Sequence, residues 1–303
     1  MNRHVVSKLG LALFAVLGAL AVTPLFFIVA DIYIKGVPAI VKLGGLNFLT
    51  DLPPAPYDER GGIGPQLVGT LYMTLLGALL GFAVGFPIGV YLGEFRKEFF
   101  ASVARAGVNI LVEFPTITIG LFVYTLFTVF AGGQLNEWLR GLAHSLAALV
   151  GDWARQFVGP LGQFNAYAGS LALAVVMAPY VALFTASAYA SIEQPLREAA
   201  YALAGSEFKA VFVVLRKAVS RAVLVAALLG TAKIAGETAP LLFTAFGNIY
   251  YAPFTEPTAA VPLWVWYAAQ TPYEVQIASA YGASAVLLTI VLALFLVARL
   301  RGG

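Results

Sequence analysis

The sequence predicts an all-α polytopic membrane protein with six transmembrane helices and both termini in the cytoplasm. Composition is the first observation: 60% of the 303 residues are hydrophobic and 11% are charged, against roughly 45–50% and 25% in soluble domains. The second is a recurrence of apolar runs of about 20 residues, each long enough to cross the hydrocarbon core of a bilayer. The third is the placement of lysine and arginine, which collect on cytoplasmic loops. With the N-terminus inside, twelve of the 18 fall on inner segments, five on outer loops including Lys35 and Lys42, and Lys233 within a span. The net charge of +3 is therefore a matter of topology and not a sign of nucleic-acid binding. A single membrane domain uses the whole chain and leaves little length for a soluble one.

The first span, 9–31, follows Arg3 and Lys8, and Ala19-Leu20-Ala21 resembles a signal-peptidase site. The uncharged run from Leu9 to Ala30 is longer than a signal h-region, so a retained helix is expected. Spans two and three cover 67–93 and 106–131. In span two Gly77, Gly81, Gly85 and Gly89 recur every fourth residue, a face on which helix backbones approach closely. Spans two and three are expected to pack on span five through such small residues.

The outer loop 132–166 carries Leu135, Trp138, Leu139, Leu142, Leu146, Leu149 and Trp153 at helical spacing, the pattern of an amphipathic surface helix. Its His144 has no second ligand at metal spacing, so no metal site is expected. Span four covers 167–190, the inner loop 191–220, span five 221–246 and span six 276–298. The last outer loop lacks lysine and arginine and holds Tyr250, Tyr251, Phe254, Trp264, Trp266, Tyr267 and Tyr273, which are expected to form an interfacial belt.

Several chemistries are excluded. Without cysteine there are no disulfides or thiolate sites, and neither a nucleotide-binding G-x-x-x-x-G-K-[ST] nor a serine elbow occurs. If ATP powers this chain, another chain binds the nucleotide. Two places remain. One is the inner loop, where Pro195 to Leu203 predicts a short helix, Gly205 a turn, and Ser206 the cap of a second helix carrying Phe208, Val211, Phe212 and Leu215. Ala199, Ala200, Ala202 and Ala204 would let another backbone approach, with Arg197 and Glu198 as charge at the rim, although alanine is also simply a good helix former.

The other place is "TAKIAGETAPLLFTA", from Thr231 to Ala245. Lys233 and Glu237 stand one helical turn apart at membrane depth, where a charge facing lipid is costly. They are either an ion pair that positions helices or part of a wet pathway. Gly236 loosens the helix, and Pro240 has no N–H for the Gly236 carbonyl, which is left free beside Thr238. Freed backbone at that depth is tolerated where it lines a cavity. There Lys233 would attract an anion, and Glu237 would accept a hydrogen bond from an anion that still carries a proton.

"LREAAYALAGSEF" resembles the EAA loop of ABC importer permeases. Ala204 stands at that pattern's glycine, with Gly205 one residue later, and Lys217 stands where many relatives have proline. "GGIGPQLVGTLYMTLLGALLGFAVGFPIGVYLGEF", "EFPTITIGLFVYTLF" and "AKIAGETAPLLFTAFGN" occur in the same order as in the A-type permeases of Pst phosphate importers. The resemblance implies a type I ABC importer permease fold of the MetI-like kind in the cell membrane. It implies coupling through Glu198, Ala199, Ala200, Gly205 and Lys217 to two ATPase subunits, which would bind the ATP and magnesium. A C-type permease subunit and an extracytoplasmic phosphate-binding protein would complete the complex. Relatives often carry an arginine in the fourth span after Met-x-Pro, where this chain has Ala182, Leu183 and Phe184. A permease for another oxyanion stays open, as does a secondary phosphate transporter, although the latter would show two related broken helices and only one "GETAP" occurs.

Overall fold

The computed structural model describes residues 3–130 and 134–302, and the described elements are helical apart from one isolated bridge between Phe246 and Thr258. In chain order they are α1 (Arg3–Leu43), a 3-10 turn (Gly45–Leu49), α2 (Gly64–Glu94), α3 (Phe99–Glu113), α4 (Thr116–Phe130) and α5 (Gln134–Val150). A second 3-10 turn (Asp152–Gln156), α6 (Ala166–Ala190), α7 (Gln194–Ala204), α8 (Glu207–Lys209), a π-helical turn (Ala210–Leu215) and α9 (Arg216–Ala235) follow. The chain closes with α10 (Ala239–Thr244), α11 (Val261–Ala268) and α12 (Glu274–Gly302).

Four of these are long and apolar enough to cross a membrane, namely Leu11–Leu43 of α1, α2, α6 and Glu274–Arg301 of α12; α3 with α4 makes a fifth if the bent pair is one span. That pair corrects the expected straight third span, because the two helices meet at 100°. Pro115 is the cause: it drives Phe114 into extended backbone, at φ −70 and ψ 135. Residues 131–133, where that span was expected to end and the outer loop to begin, lie outside the described residues, as do the side chains of Arg3, Lys8 and Leu135. The expected fifth span, 221–246, is interrupted: α9 stops at Ala235 and α10 resumes at Ala239.

The first span was expected to end at its first charge, Asp31. Instead Asp31 pairs with Lys35 one turn on, at 2.7 Å, and α1 continues to Leu43, so Lys35 and Lys42 are helical and not in a loop. A Cβ at Gly36 would come 2.5 Å from the Tyr281 carbonyl, which brings α1 against α12.

The core is the pair α2 and α6. A Cβ added at Gly85 would lie 2.5 Å from the Ala178 carbonyl oxygen, one at Gly89 2.5 Å from that of Ala182, and one at Gly81 3.0 Å from Met177 Cβ. The glycine stripe therefore packs on span four, not on span five as expected, and Gly93 extends it against Tyr189. The reason is a matching stripe on α6, where Ala174, Ala178, Ala182 and Ala186 also recur every fourth residue. Asn165 starts α6 by accepting the Ala168 N–H at 2.8 Å. From the other side, α9 reaches α6 at Gly230, against Met177.

The outer segments depart from expectation in two respects. The amphipathic helix ends at Val150, where Gly151 turns the chain at φ +102 and moves Trp153 into the following 3-10 turn. The aromatic loop is not wholly interfacial, since Trp264 of α11 is buried with Nε1 donating to Ser279 Oγ at 3.0 Å, and buried Phe254 stacks on Tyr72. Tyr250, Tyr251, Trp266 and Tyr267 remain exposed. An uncharged aromatic run suits a core as well as an interface, and composition does not separate the two.

Candidate functional site

The site is built on the interruption between α9 and α10. Gly236 leaves the helix at φ −99 and ψ 4, Glu237 N donates back to Ile234 O at 3.2 Å, and α10 restarts with Pro240 in its first turn. Among the described residues no backbone N–H donates to the Gly236 carbonyl. In an unbroken helix that donor would come from residue 240, and proline has none. Gly236 is exposed, and a Cβ there would meet nothing within 4 Å. Thr238 is partly buried, whereas Pro240 is buried, with its carbonyl accepting from Thr244 Oγ1 at 2.8 Å.

Lys233 Nζ donates to Glu237 Oε1, so the expected i,i+4 pair forms across the break. Its side chains are 38% and 13% exposed, which describes a pair on an open edge of the chain and not one sealed in its core. Nζ also lies 5.5 Å from the centroid of the Tyr180 ring on α6, within the range of a cation–π contact. Lys233, Gly236 and Glu237 thus bring a cation, a carboxylate and a backbone carbonyl without a backbone donor to one interruption of the helix.

Tyr180 was not singled out from the sequence, because no local pattern links position 180 to position 233. The sequence reading noted instead that the cation relatives often carry slightly further along this helix is missing, with Ala182, Leu183 and Phe184 in its place. Ala182 there is buried under Gly89, and Tyr180 supplies an aromatic face to Lys233.

The inner loop folds as a helical hairpin. Gly205 closes α7 at φ +69, a conformation glycine adopts without strain, and Ser206 Oγ accepts the Lys209 N–H at 3.3 Å to start α8. Two assignments are corrected. Ala200 is 3% exposed and packs with Tyr189, Val211 and Leu215, because it lies on the inner face of α7. Arg197 turns inward as well: its Nε is 3.0 Å from Glu94 Oε1, and its Nη2 donates to the Tyr189 carbonyl at 2.9 Å. Glu198, Ala199, Gly205 and Lys217 are exposed, with Glu198 accepting from Gln194 Nε2 at 2.9 Å. Leu203 and Phe208 add an exposed apolar edge beside Gly205. Of the residues expected on the second helix, Val211 and Leu215 are buried and Phe208 is exposed.

The probable phosphate transport system permease protein PstA of Methanocaldococcus jannaschii is 36% identical over 299 residues, which is 98% of this chain and 94% of that protein. The chain belongs to the PstA family. Other PstA proteins agree: the phosphate transport system permease protein of Xylella fastidiosa strain 9a5c is 31% identical over 88% of this chain and 81% of its own length. That of Haemophilus influenzae is 30% identical over 91% and 86%. No protein-family model matches the chain. Among solved structures, a chain of the inward-facing MetNI methionine ABC transporter superposes with a TM-score of 0.52 at 19% identity, covering 78% of this chain and 91% of that one. That likeness is one of fold, and gives this PstA family member the architecture of a MetI-type ABC permease. With its long apolar helices, it is a multi-pass membrane protein.

Proposed function

We propose that this chain forms one half of the translocation pathway of an ATP-driven phosphate importer. In this reading the bent pair of α3 and α4 is the third of six spans, α9 with α10 is the fifth, and both termini are cytoplasmic. A C-type permease supplies the other half of the pathway, and an extracytoplasmic binding protein delivers phosphate. Two ATPase subunits hold ATP and magnesium and receive α7 and the Gly205 turn, through Glu198, Ala199, Lys217 and the apolar edge of Leu203 and Phe208.

The observation that carries this reading is the open-edged Lys233–Glu237 pair beside the free Gly236 carbonyl, in a family of phosphate permeases. Lys233 attracts the anion. Glu237 and the Gly236 carbonyl accept hydrogen bonds and donate none, which favours an oxyanion that still carries protons near neutral pH. Phosphate does, whereas sulfate is fully deprotonated there. In the empty site Glu237 neutralises Lys233, so arriving phosphate competes with a carboxylate and is held weakly, as passage requires.

The test is uptake of radiolabelled phosphate by the four-part complex in liposomes, with ATP inside and sulfate or molybdate as competitors. ATP-dependent uptake that resists both competitors supports the reading. Equal competition by sulfate or molybdate points to a permease for another oxyanion, and uptake that follows an ion gradient without ATP points to a secondary transporter.

A further inference from the structure

The core pair and the cytoplasmic hairpin meet at one buried carboxylate. Glu94, the last residue of α2, has a side chain only 2% exposed, and its Oε1 lies 3.0 Å from Arg197 Nε and accepts from the Tyr201 hydroxyl at 3.0 Å. Arg197 reaches a second helix end through Nη2, which donates to the carbonyl of Tyr189 in the last turn of α6. Arg197 and Tyr201 are one turn apart on α7. That helix therefore grips the ends of both α2 and α6, which are themselves locked by the glycine stripe.

The chemistry of the grip is demanding. Glu94 Oε2 and Arg197 Nε are both buried with no hydrogen-bond partner among the described residues, so the guanidinium compensates this charge by proximity while Tyr201 supplies the hydrogen bond. Removing one member of such a pair strands the other, which is far more disruptive than removing both. Tyr201 stays a donor throughout, because burial, then the Glu94 carboxylate beside it, pushes its hydroxyl up to about 12.

The route from α7 to the pathway is built differently. It runs through α8 and the π-helical turn Ala210–Leu215 before α9 reaches Lys233. A π-turn carries an extra residue per turn and is a local distortion of the helix. The hairpin thus has an ion-paired attachment to α2 and α6, and a route to α9 through a helix distortion that packs on Tyr189 of α6.

We infer that Glu94, Arg197 and Tyr201 are positioning residues that make α7 move as one body with α2 and α6, so that displacement of the hairpin reaches the core of the permease. The inference rests on the reading of α7 as the contact with the ATPase. Its consequence is a separation between assembly and coupling. Arg197→Met alone strands Glu94 and lowers the yield of folded chain, whereas Glu94→Gln with Arg197→Met removes both charges and restores folding without restoring the grip.

The experiment uses the full complex in liposomes with its binding protein, and measures ATP hydrolysed and phosphate taken up in the same preparation. The double variant is expected to assemble and hydrolyse ATP while phosphate moved per ATP falls at least about five-fold; Tyr201→Phe, which loses one hydrogen bond and no charge, should lower the ratio less. A wild-type ratio in the assembled double variant overturns the inference and leaves the pair a purely structural ion pair. If the wild-type complex itself shows no ATP-driven uptake, the reading of α7 as a coupling helix fails, and this inference falls with it.

Discussion

Gly120 of α4 lies directly against Pro240 at the restart of the broken helix: a Cβ at Gly120 would sit 2.6 Å from the Pro240 carbonyl oxygen and 2.7 Å from its Cα. The second half of the interruption is therefore held in place by the absence of a side chain. Gly120→Ala must displace α10 and, with it, the geometry around Glu237, at a cost of about 1–3 kcal/mol for overpacking. Gly107→Ala is the control, since a Cβ there meets nothing within 4 Å and alanine favours a helix interior by up to about 1 kcal/mol. Thermal unfolding of the purified chains in detergent should place the two variants on opposite sides of wild type, and coincident curves would refute the close-approach argument.

Gly85→Leu tests the main core contact. Its first side-chain atom would already lie 2.5 Å from the Ala178 carbonyl, so the two backbones must separate. Loss of the folded chain, or failure to copurify with the partner permease, is the expected outcome. A double variant with Ala178→Gly does not relieve the clash, because the obstructing atom is backbone. Wild-type assembly of Gly85→Leu would show that the helices have room that the geometry denies.

The limits of the sequence reading follow from which signals are local. The helix of span four was legible to within a residue because an uncharged run begins just after Asn165, and that of span two to within three, since it starts at Gly64 beside Pro65 and ends at Glu94. The glycine stripe was legible as a face, but its partner was not. The alanines of α6 look like ordinary helix formers until α2 lies against them. Charge was the commonest source of error: Asp31 read as a helix end because its neutralisation by Lys35 is invisible to hydropathy, and Arg197 read as an exposed rim because Glu94 is distant in sequence. At the candidate site, the break was legible from Gly236 and Pro240, and the Lys233–Glu237 pair from its i,i+4 spacing. Tyr180 was not, since it arrives from another helix.

At the hairpin, Leu203→Asp and Glu198→Lys act on exposed positions and should leave the chain folded while weakening its association with the ATPase subunits. Gly205→Pro acts differently, because proline requires φ near −65° and this residue sits at φ +69. It should redirect α8 and uncouple ATP hydrolysis from uptake. Copurification of the ATPase with each variant, together with the uptake rate, checks both; unimpaired uptake in all three variants would remove this hairpin from the coupling path.

Lys233→Gln separates an ion pair that positions helices from one that handles substrate. The pair is not sealed in the core, at 38% and 13% side-chain exposure, and glutamine keeps a hydrogen-bond donor for Glu237 in place of the ammonium. Assembly should therefore survive the substitution. Uptake should not: without the cation, phosphate, still an anion when it carries a proton, meets the Glu237 carboxylate with no positive charge to offset it. Lys233→Arg keeps the charge and the contact with Tyr180 and should retain part of the rate, since arginine also stacks on aromatic rings. Glu237→Gln has a different signature. It removes the carboxylate that competes for Lys233 and replaces an acceptor with a group that both donates and accepts, so sulfate, which offers no protons, should become a better competitor of phosphate uptake. Full phosphate uptake by assembled Lys233→Gln, with sulfate selectivity unaltered in Glu237→Gln, would return the pair to a purely structural role.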